Sequence, residues 1–157
     1  LESTVKSIGI LAFIALTLFF GFQECQADEI DALILGKSWH FDGERKDYSP
    51  NQWNYGGGLE YRAGPWIIGG MTYRDSFRQQ AYALYGGYQY TVPIGPVNVF
   101  AAVRAGYLNG SGWHGPGVLP SVGLGYGRFS LEATFIPKAR KGWNCVAVFA
   151  RVRVLEW

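Results

Sequence analysis

The stretch Val97-Asn98-Val99-Phe100-Ala101-Ala102-Val103-Arg104-Ala105-Gly106-Tyr107 decides the fold. Side chains of an extended strand alternate between its two faces. Val97, Val99, Ala101, Val103, Ala105 and Tyr107 therefore share one face, and Asn98, Phe100, Ala102, Arg104 and Gly106 share the other. The pattern recurs at Ser130–Phe135, where Leu131, Ala133 and Phe135 alternate with Ser130, Glu132 and Thr134. One face is wholly apolar, and the opposite face carries a charge in mid-strand. A soluble sandwich buries its apolar face. A strand with lipid on one side and a polar lumen on the other has this pattern instead.

Working outward from that stretch, eight segments have the length of transmembrane barrel strands, about 9–11 residues each. They are Asp31–Phe41, Asn54–Arg62, Pro65–Arg74, Gln80–Thr91, Val97–Leu108, Val118–Tyr126, Arg128–Ile136 and Asn144–Leu155. The first and third alternate poorly. The connections alternate in kind. Asp42–Trp53 and Asn109–Gly117 are long, and Asp75–Gln79 and Pro137–Trp143 are intermediate. Ala63-Gly64, Val92–Pro96 and Gly127 read as tight turns. Bacterial barrels join their strands by short periplasmic turns and longer extracellular loops, so a periplasmic N-terminus puts the first, third, fifth and seventh connections outside. The six tryptophans fall near strand ends, as interfacial girdles do. The expected fold is all-β: an eight-stranded antiparallel transmembrane β-barrel with up-and-down order. A soluble lipocalin-like barrel also has eight strands. Arg104, Glu132, Arg151 and Arg153 on lumen positions argue against it.

The composition agrees. Mean hydropathy is +0.01, because half of each strand is polar. Many of the 22 glycines fall inside strands, where a closed barrel needs room and bends. Lys6 and the apolar run Ile8–Phe22 resemble a secretory signal, with small residues placing cleavage after Ala27. An acylated Cys25 fits poorly behind Glu24. The expected organisation is thus a signal peptide at 1–27 and an outer-membrane barrel at 28–157. The latter holds 13 Lys and Arg against 10 Asp and Glu, a net charge of +3. That is too little to argue for nucleic acid. One cysteine in this part, Cys145, leaves no intramolecular disulfide. His40 and His114 stand far apart without further ligands, so neither a metal nor another cofactor is expected.

Loop parity brings His40, at the end of the first strand, to the same rim as Asp75 and Ser76, at the end of the third. A histidine, a serine and a carboxylate can serve as base, nucleophile and orienting group. Neighbours in a strand point to opposite faces, so a linear relay through Asp75 and Ser76 requires a turn there. Exposed barrel loops are also rich in Asp and Ser for reasons unrelated to catalysis.

Several stretches together resemble the outer-membrane lipid A palmitoyltransferases, the PagP family. They are Ser38-Trp39-His40, Tyr55-Gly56-Gly57-Gly58-Leu59, Arg74-Asp75-Ser76-Phe77, Leu119-Pro120-Ser121-Val122, and Gly125-Tyr126-Gly127 leading to Thr134-Phe135-Ile136-Pro137. They keep the family's order and similar spacing over most of residues 28–157. The resemblance implies transfer of a palmitoyl chain from a phospholipid to lipid A, with His40, Asp75 and Ser76 as catalytic residues. It implies that the barrel interior holds the acyl chain, with Gly87 at the glycine position that sets chain length. It also implies that Pro120 and Pro137 flank a lateral opening. Lys138, Arg140 and Lys141 would meet lipid phosphates, as they would in any barrel touching lipopolysaccharide. The implied location is the bacterial outer membrane, the implied partners are phospholipid and lipid A, and a monomer is expected. The chain departs from the family in its outer loops. It also lacks the family's amphipathic helix before the first strand, since only Asp28–Ile30 separate the expected cleavage from that strand. A non-catalytic barrel with a structural or surface-binding role, and a lipid A deacylase, are the competing readings.

Overall fold

The structure, a computed structural model, describes residues 27–41, 49–138 and 144–157. The expected signal segment up to residue 26, most of the Asp42–Trp53 connection, Arg140 and Lys141 lie outside the described residues. Among those described there is no helix. Eight strands run in order: β1 Glu29–Phe41, β2 Trp53–Ala63, β3 Trp66–Arg74, β4 Gln80–Ile94, β5 Val97–Gly110, β6 Trp113–Tyr126, β7 Phe129–Ile136 and β8 Asn144–Glu156. Each pairs antiparallel with its sequence neighbours, and β1 pairs with β8, closing the barrel. Closure leaves no free sheet edge around most of the circumference.

The side-chain alternation matches the sequence reading. Val103 is 43% exposed and its neighbour Arg104 3%. Ile34, Leu59, Ile68, Leu84, Val122, Leu124 and Leu131 all stand exposed on the outer surface. Aromatic side chains gather at both ends of the wall. Trp53 stacks on Tyr55, and Tyr82 on Tyr107, at the end carrying the β1–β2 and β3–β4 connections, here the upper end. Tyr61 stacks on Trp157, and Trp66 meets Tyr88 edge-on, at the lower end. An apolar band between two aromatic belts is compatible with the outer surface of a membrane barrel.

The lumen is closed at mid-height by charge. Glu60 on β2, Arg104 on β5, Glu132 on β7 and Arg151 on β8 are each 3% exposed or less. Arg104 bridges both glutamates, with Nε 2.6 Å from Glu60 Oε1 and Nη2 3.1 Å from Glu132 Oε2. Arg151 Nη1 lies 3.3 Å from Glu60, and its Nη2 bonds Gln89 at 2.9 Å. The Tyr85 hydroxyl donates to Glu60 at 2.9 Å, and Arg104 donates to Ser121 at 3.0 Å. Two positive and two negative groups cancel, and hydrogen bonds satisfy most of their polar atoms where water is excluded, Arg151 Nε having no partner among the described residues. Below this layer lies a polar cavity of about 500 Å³, whose charged walls Arg62, Arg153 and Glu29 pair with one another or with Asp31 and Glu156. Above it lies an apolar one.

Two expectations about the upper end change. The Asn109–Gly117 segment is not a long loop. β5 and β6 continue to Gly110 and Trp113 and are joined by Ser111-Gly112 alone. Ser111 has φ 54° and Gly112 φ 76°, as a two-residue type I′ hairpin requires. Gly110, Gly115, Pro116 and Gly117 mimic a loop but lie in strands. The other change concerns β1. Its register shifts between Leu35 and Ser38, where three steps on β1 match two on β8, Phe149 to Ala147. This is a β-bulge, and Gly36 lies within it.

Candidate functional site

The bulge in β1 determines which way His40 points. From Glu29 to Leu33 the odd-numbered residues of β1 face inward and are buried. Strict alternation would carry Trp39 into the lumen and His40 to the outer surface. The extra residue reverses the parity, so Ser38 is buried at 2% and Trp39 is exposed at 42%. His40 then stands on the inner side, and its Nε2 lies 2.8 Å from Ser76 Oγ.

Ser76 follows β3 in a turn that Asp75 organises. Asp75 Oδ1 accepts the amide N–H groups of Phe77 at 2.9 Å and Gln79 at 2.8 Å. Its Oδ2 accepts the amide of Ser111 at 2.6 Å, across from the β5–β6 hairpin. The Asp75 amide donates to the Gln79 carbonyl at 2.9 Å, and Asn51 donates to the Asp75 carbonyl at 3.1 Å. A short polar side chain that collects amides of its own turn is an Asx-type brace. It removes the difficulty of adjacent Asp and Ser. The chain leaves the strand at Asp75, and both side chains are buried, at 2% and 7%. The arrangement is a His40–Ser76 pair with Asp75 fixing the loop beneath Ser76, not a linear Asp–His–Ser relay.

Below Ser76 the upper cavity holds about 320 Å³. That lies within the roughly 300–1,000 Å³ span of small-molecule sites. Its wall is largely apolar, with Leu35, Met71, Ala83, Leu108, Ile136 and Phe149 among its side chains. Lys37 and Lys138 stand at its rim, and the Lys37 ammonium also lies 5.3 Å from the Trp39 ring and 5.5 Å from the Trp53 ring. Two polar atoms of the wall, Ser38 Oγ and Asn54 Oδ1, are buried with no hydrogen-bond partner among the described residues. A buried polar atom costs free energy unless something bonds it, so these two suit a ligand with a polar group near the mouth.

The cavity has a side door. The β6–β7 ladder runs only from Ser121↔Thr134 to Tyr126↔Phe129. Above it, Thr134 Oγ1 donates to the Pro120 carbonyl at 3.1 Å. That carbonyl faces β7, and in an antiparallel strand the amide of the same residue faces the same way. Proline has no N–H, so the ladder ends at Pro120, and Pro116, four residues on, also turns its missing donor toward the gap. Pro116 and Val118, which stand on the outer side, nonetheless help line the cavity. The lumen therefore communicates with the outer surface between β6 and β7, with Pro137 and Lys138 on the far side of the gap.

Gly87 faces inward, as the alternation indicates, but it does not line this cavity. The lining on β4 is Ala83. Tyr85 and the charged layer come next, and Gly87 lies two residues past Tyr85, paired with Arg104. A Cβ at Gly87 would lie 2.5 Å from the Val103 carbonyl oxygen and 3.2 Å from Arg104 Cγ. Its lack of a side chain accommodates β5 and the arginine. The depth of the cavity is set by Met71, Ala83, Phe149 and the layer under them. Ser111, Asn54 and Lys37 have no place in the sequence reading of the site, and Ser38 enters it only within Ser38-Trp39-His40. The sequence signal that could have shown the bulge is Gly36, a glycine inside a poorly alternating strand. Among the described residues no group of histidine, cysteine and carboxylate side chains could hold a metal ion. No protein-family model matches the chain, and no curated protein matches it significantly.

Proposed function

We propose that this protein is an outer-membrane acyltransferase that moves a palmitoyl-type chain from a phospholipid to lipid A. The observation that carries the reading is a His–Ser pair, 2.8 Å apart, over the mouth of an apolar cavity inside a barrel with a lipid-compatible outer wall. An acyl chain suits a narrow apolar cavity, and its ester carbonyl would then sit near the polar rim.

In this reading a lipid slides its chain in through the gap above Pro120. His40 Nε2 takes the proton of an attacking hydroxyl as the new ester bond forms, and returns it to the departing lysophospholipid oxygen. Ser76 and the Asp75-braced turn hold the reacting carbonyl in place. Lys37 and Lys138 offer positive charge to phosphates at the membrane surface. The resemblance in Ser38-Trp39-His40 and Arg74-Asp75-Ser76-Phe77 supports the same reaction.

The test is purified, refolded protein in mixed micelles with a phospholipid labelled in one acyl chain and lipid A as acceptor. Label should pass to lipid A with the native protein and should fall at least a hundredfold in His40→Ala, in line with the usual contribution of a general base. Equal transfer by native protein and His40→Ala would refute the reading. Release of free labelled fatty acid without transfer would assign a hydrolase instead.

A further inference from the structure

Ser111 takes no part in the reaction as described above, yet three separate features press it against Ser76. The type I′ turn places it at the tip of the β5–β6 hairpin with φ 54°. Its amide is tied to Asp75 Oδ2 at 2.6 Å. Gly110 next to it has no side chain, and a Cβ there would lie 2.6 Å from Ala81 Cβ and 3.4 Å from the Tyr73 hydroxyl oxygen. The hairpin can approach β3 and β4 this closely only because position 110 is glycine.

We propose that Ser111 is a positioning residue whose hydroxyl orients Ser76 toward His40, completing a Ser111–Ser76–His40 chain. The inference rests on the reading of His40 as the base and of Ser76 as the group beside it that holds the reacting carbonyl. The distances fit one assignment of the hydroxyl protons. Ser76 Oγ–H donates to His40 Nε2 at 2.8 Å, with the imidazole proton on Nδ1. The Ser111 hydroxyl donates to Ser76 Oγ at 3.3 Å, and Ser111 Oγ accepts the Ser76 amide N–H, also at 3.3 Å. These two contacts are long, as hydrogen bonds of an unliganded site often are before substrate tightens them. Together they restrict the Ser76 rotamer, because Ser111 holds both its backbone and its hydroxyl.

The choice of residue points the same way. Glycine, asparagine and aspartate are the usual occupants of a type I′ turn, since positive φ crowds other side chains. Turn stability alone favours one of those at position 111. What serine adds is the hydroxyl, and the hydroxyl reaches Ser76.

Ser111→Gly isolates that group. It keeps the amide bonded to Asp75, suits the positive φ, and deletes only the hydroxymethyl. The full protein in detergent micelles is measured in two ways. The ¹⁵N resonance of His40 Nε2 should shift in Ser111→Gly in the same direction as in Ser76→Ala, with thermal stability equal or higher. In the acyl-transfer assay kcat should fall about tenfold with KM unchanged, the size expected for one neutral hydrogen bond lost from the transition state. An unmoved His40 resonance overturns the proposal whether or not the protein is active. Unaltered kcat and KM in an active protein overturn it as well. A native protein that transfers no acyl chain, but whose His40 resonance responds to Ser111→Gly, refutes the proposed function and leaves the positioning role standing.

Discussion

Replacing Arg104 with methionine would strip the mid-barrel charged layer of the residue that joins its parts. Arg104 bonds Glu60 through Nε and Nη2, bonds Glu132 through Nη1 and Nη2, and reaches Ser121 as well. Without it two carboxylates face the single guanidinium of Arg151. At contact distance a unit charge pair is worth about 4 kcal/mol at an effective dielectric of 20. Breaking a buried pair from one side costs about 3–5 kcal/mol, because a buried charge is left uncompensated. Arg104→Met should lose that much, and Glu132→Gln a similar amount. The double variant restores neutrality, with Glu60 facing Arg151. Its loss should therefore fall short of the sum of the singles by about 2–3 kcal/mol, within the range of strongly coupled neighbours. The assay is reversible urea unfolding of the protein refolded into lipid vesicles, followed by tryptophan fluorescence. Single-variant losses below about 1 kcal/mol, or losses that simply add, would refute the view that these four side chains act as one neutral unit.

Three further perturbations address the site and the layer beneath it. Ala83→Leu places three more carbons on the cavity wall and should shorten the acyl chain that is transferred. Gly87→Ala, below Tyr85, should instead lower stability by about 1–3 kcal/mol through crowding against β5 and Arg104. A chain-length profile changed by Gly87→Ala and untouched by Ala83→Leu would reverse that assignment. Deleting Gly36 removes the extra residue of β1, turns His40 outward, and should abolish transfer in a barrel that still migrates as folded on unheated gels. Retained activity would show that the bulge does not orient His40.

The alternation at Val97–Tyr107 and Ser130–Phe135 made the barrel legible, because an apolar outer face and a packed polar lumen enforce a strict period of two. The eight strands lie within a few residues of where that period puts them, except that β6 begins five residues earlier. Its start was hidden because Gly115, Pro116 and Gly117 have the composition of a loop. They are tolerated in a strand because the proline side of β6 faces an open gap. The rim was legible as a neighbourhood: His40, Asp75 and Ser76 do converge. Its geometry was not. A single extra residue at Gly36 reverses a parity that composition cannot reveal, and the bracing of Asp75 by Ser111 joins residues 36 positions apart. Gly87 shows the converse, where the inward direction was readable but the depth was not. Depth depends on Tyr85 and on charges supplied by four different strands.

The central claim is that the cavity and the His40–Ser76 pair above it serve acyl transfer to lipid A. The most direct measurement is the mass spectrum of lipid A from a Gram-negative host without its own palmitoyltransferase, expressing this barrel in its outer membrane. The account predicts a new species heavier by one palmitoyl-type chain, present with the native protein and missing with His40→Ala. Lipid A of unchanged mass in cells carrying the folded, membrane-inserted native barrel would contradict it.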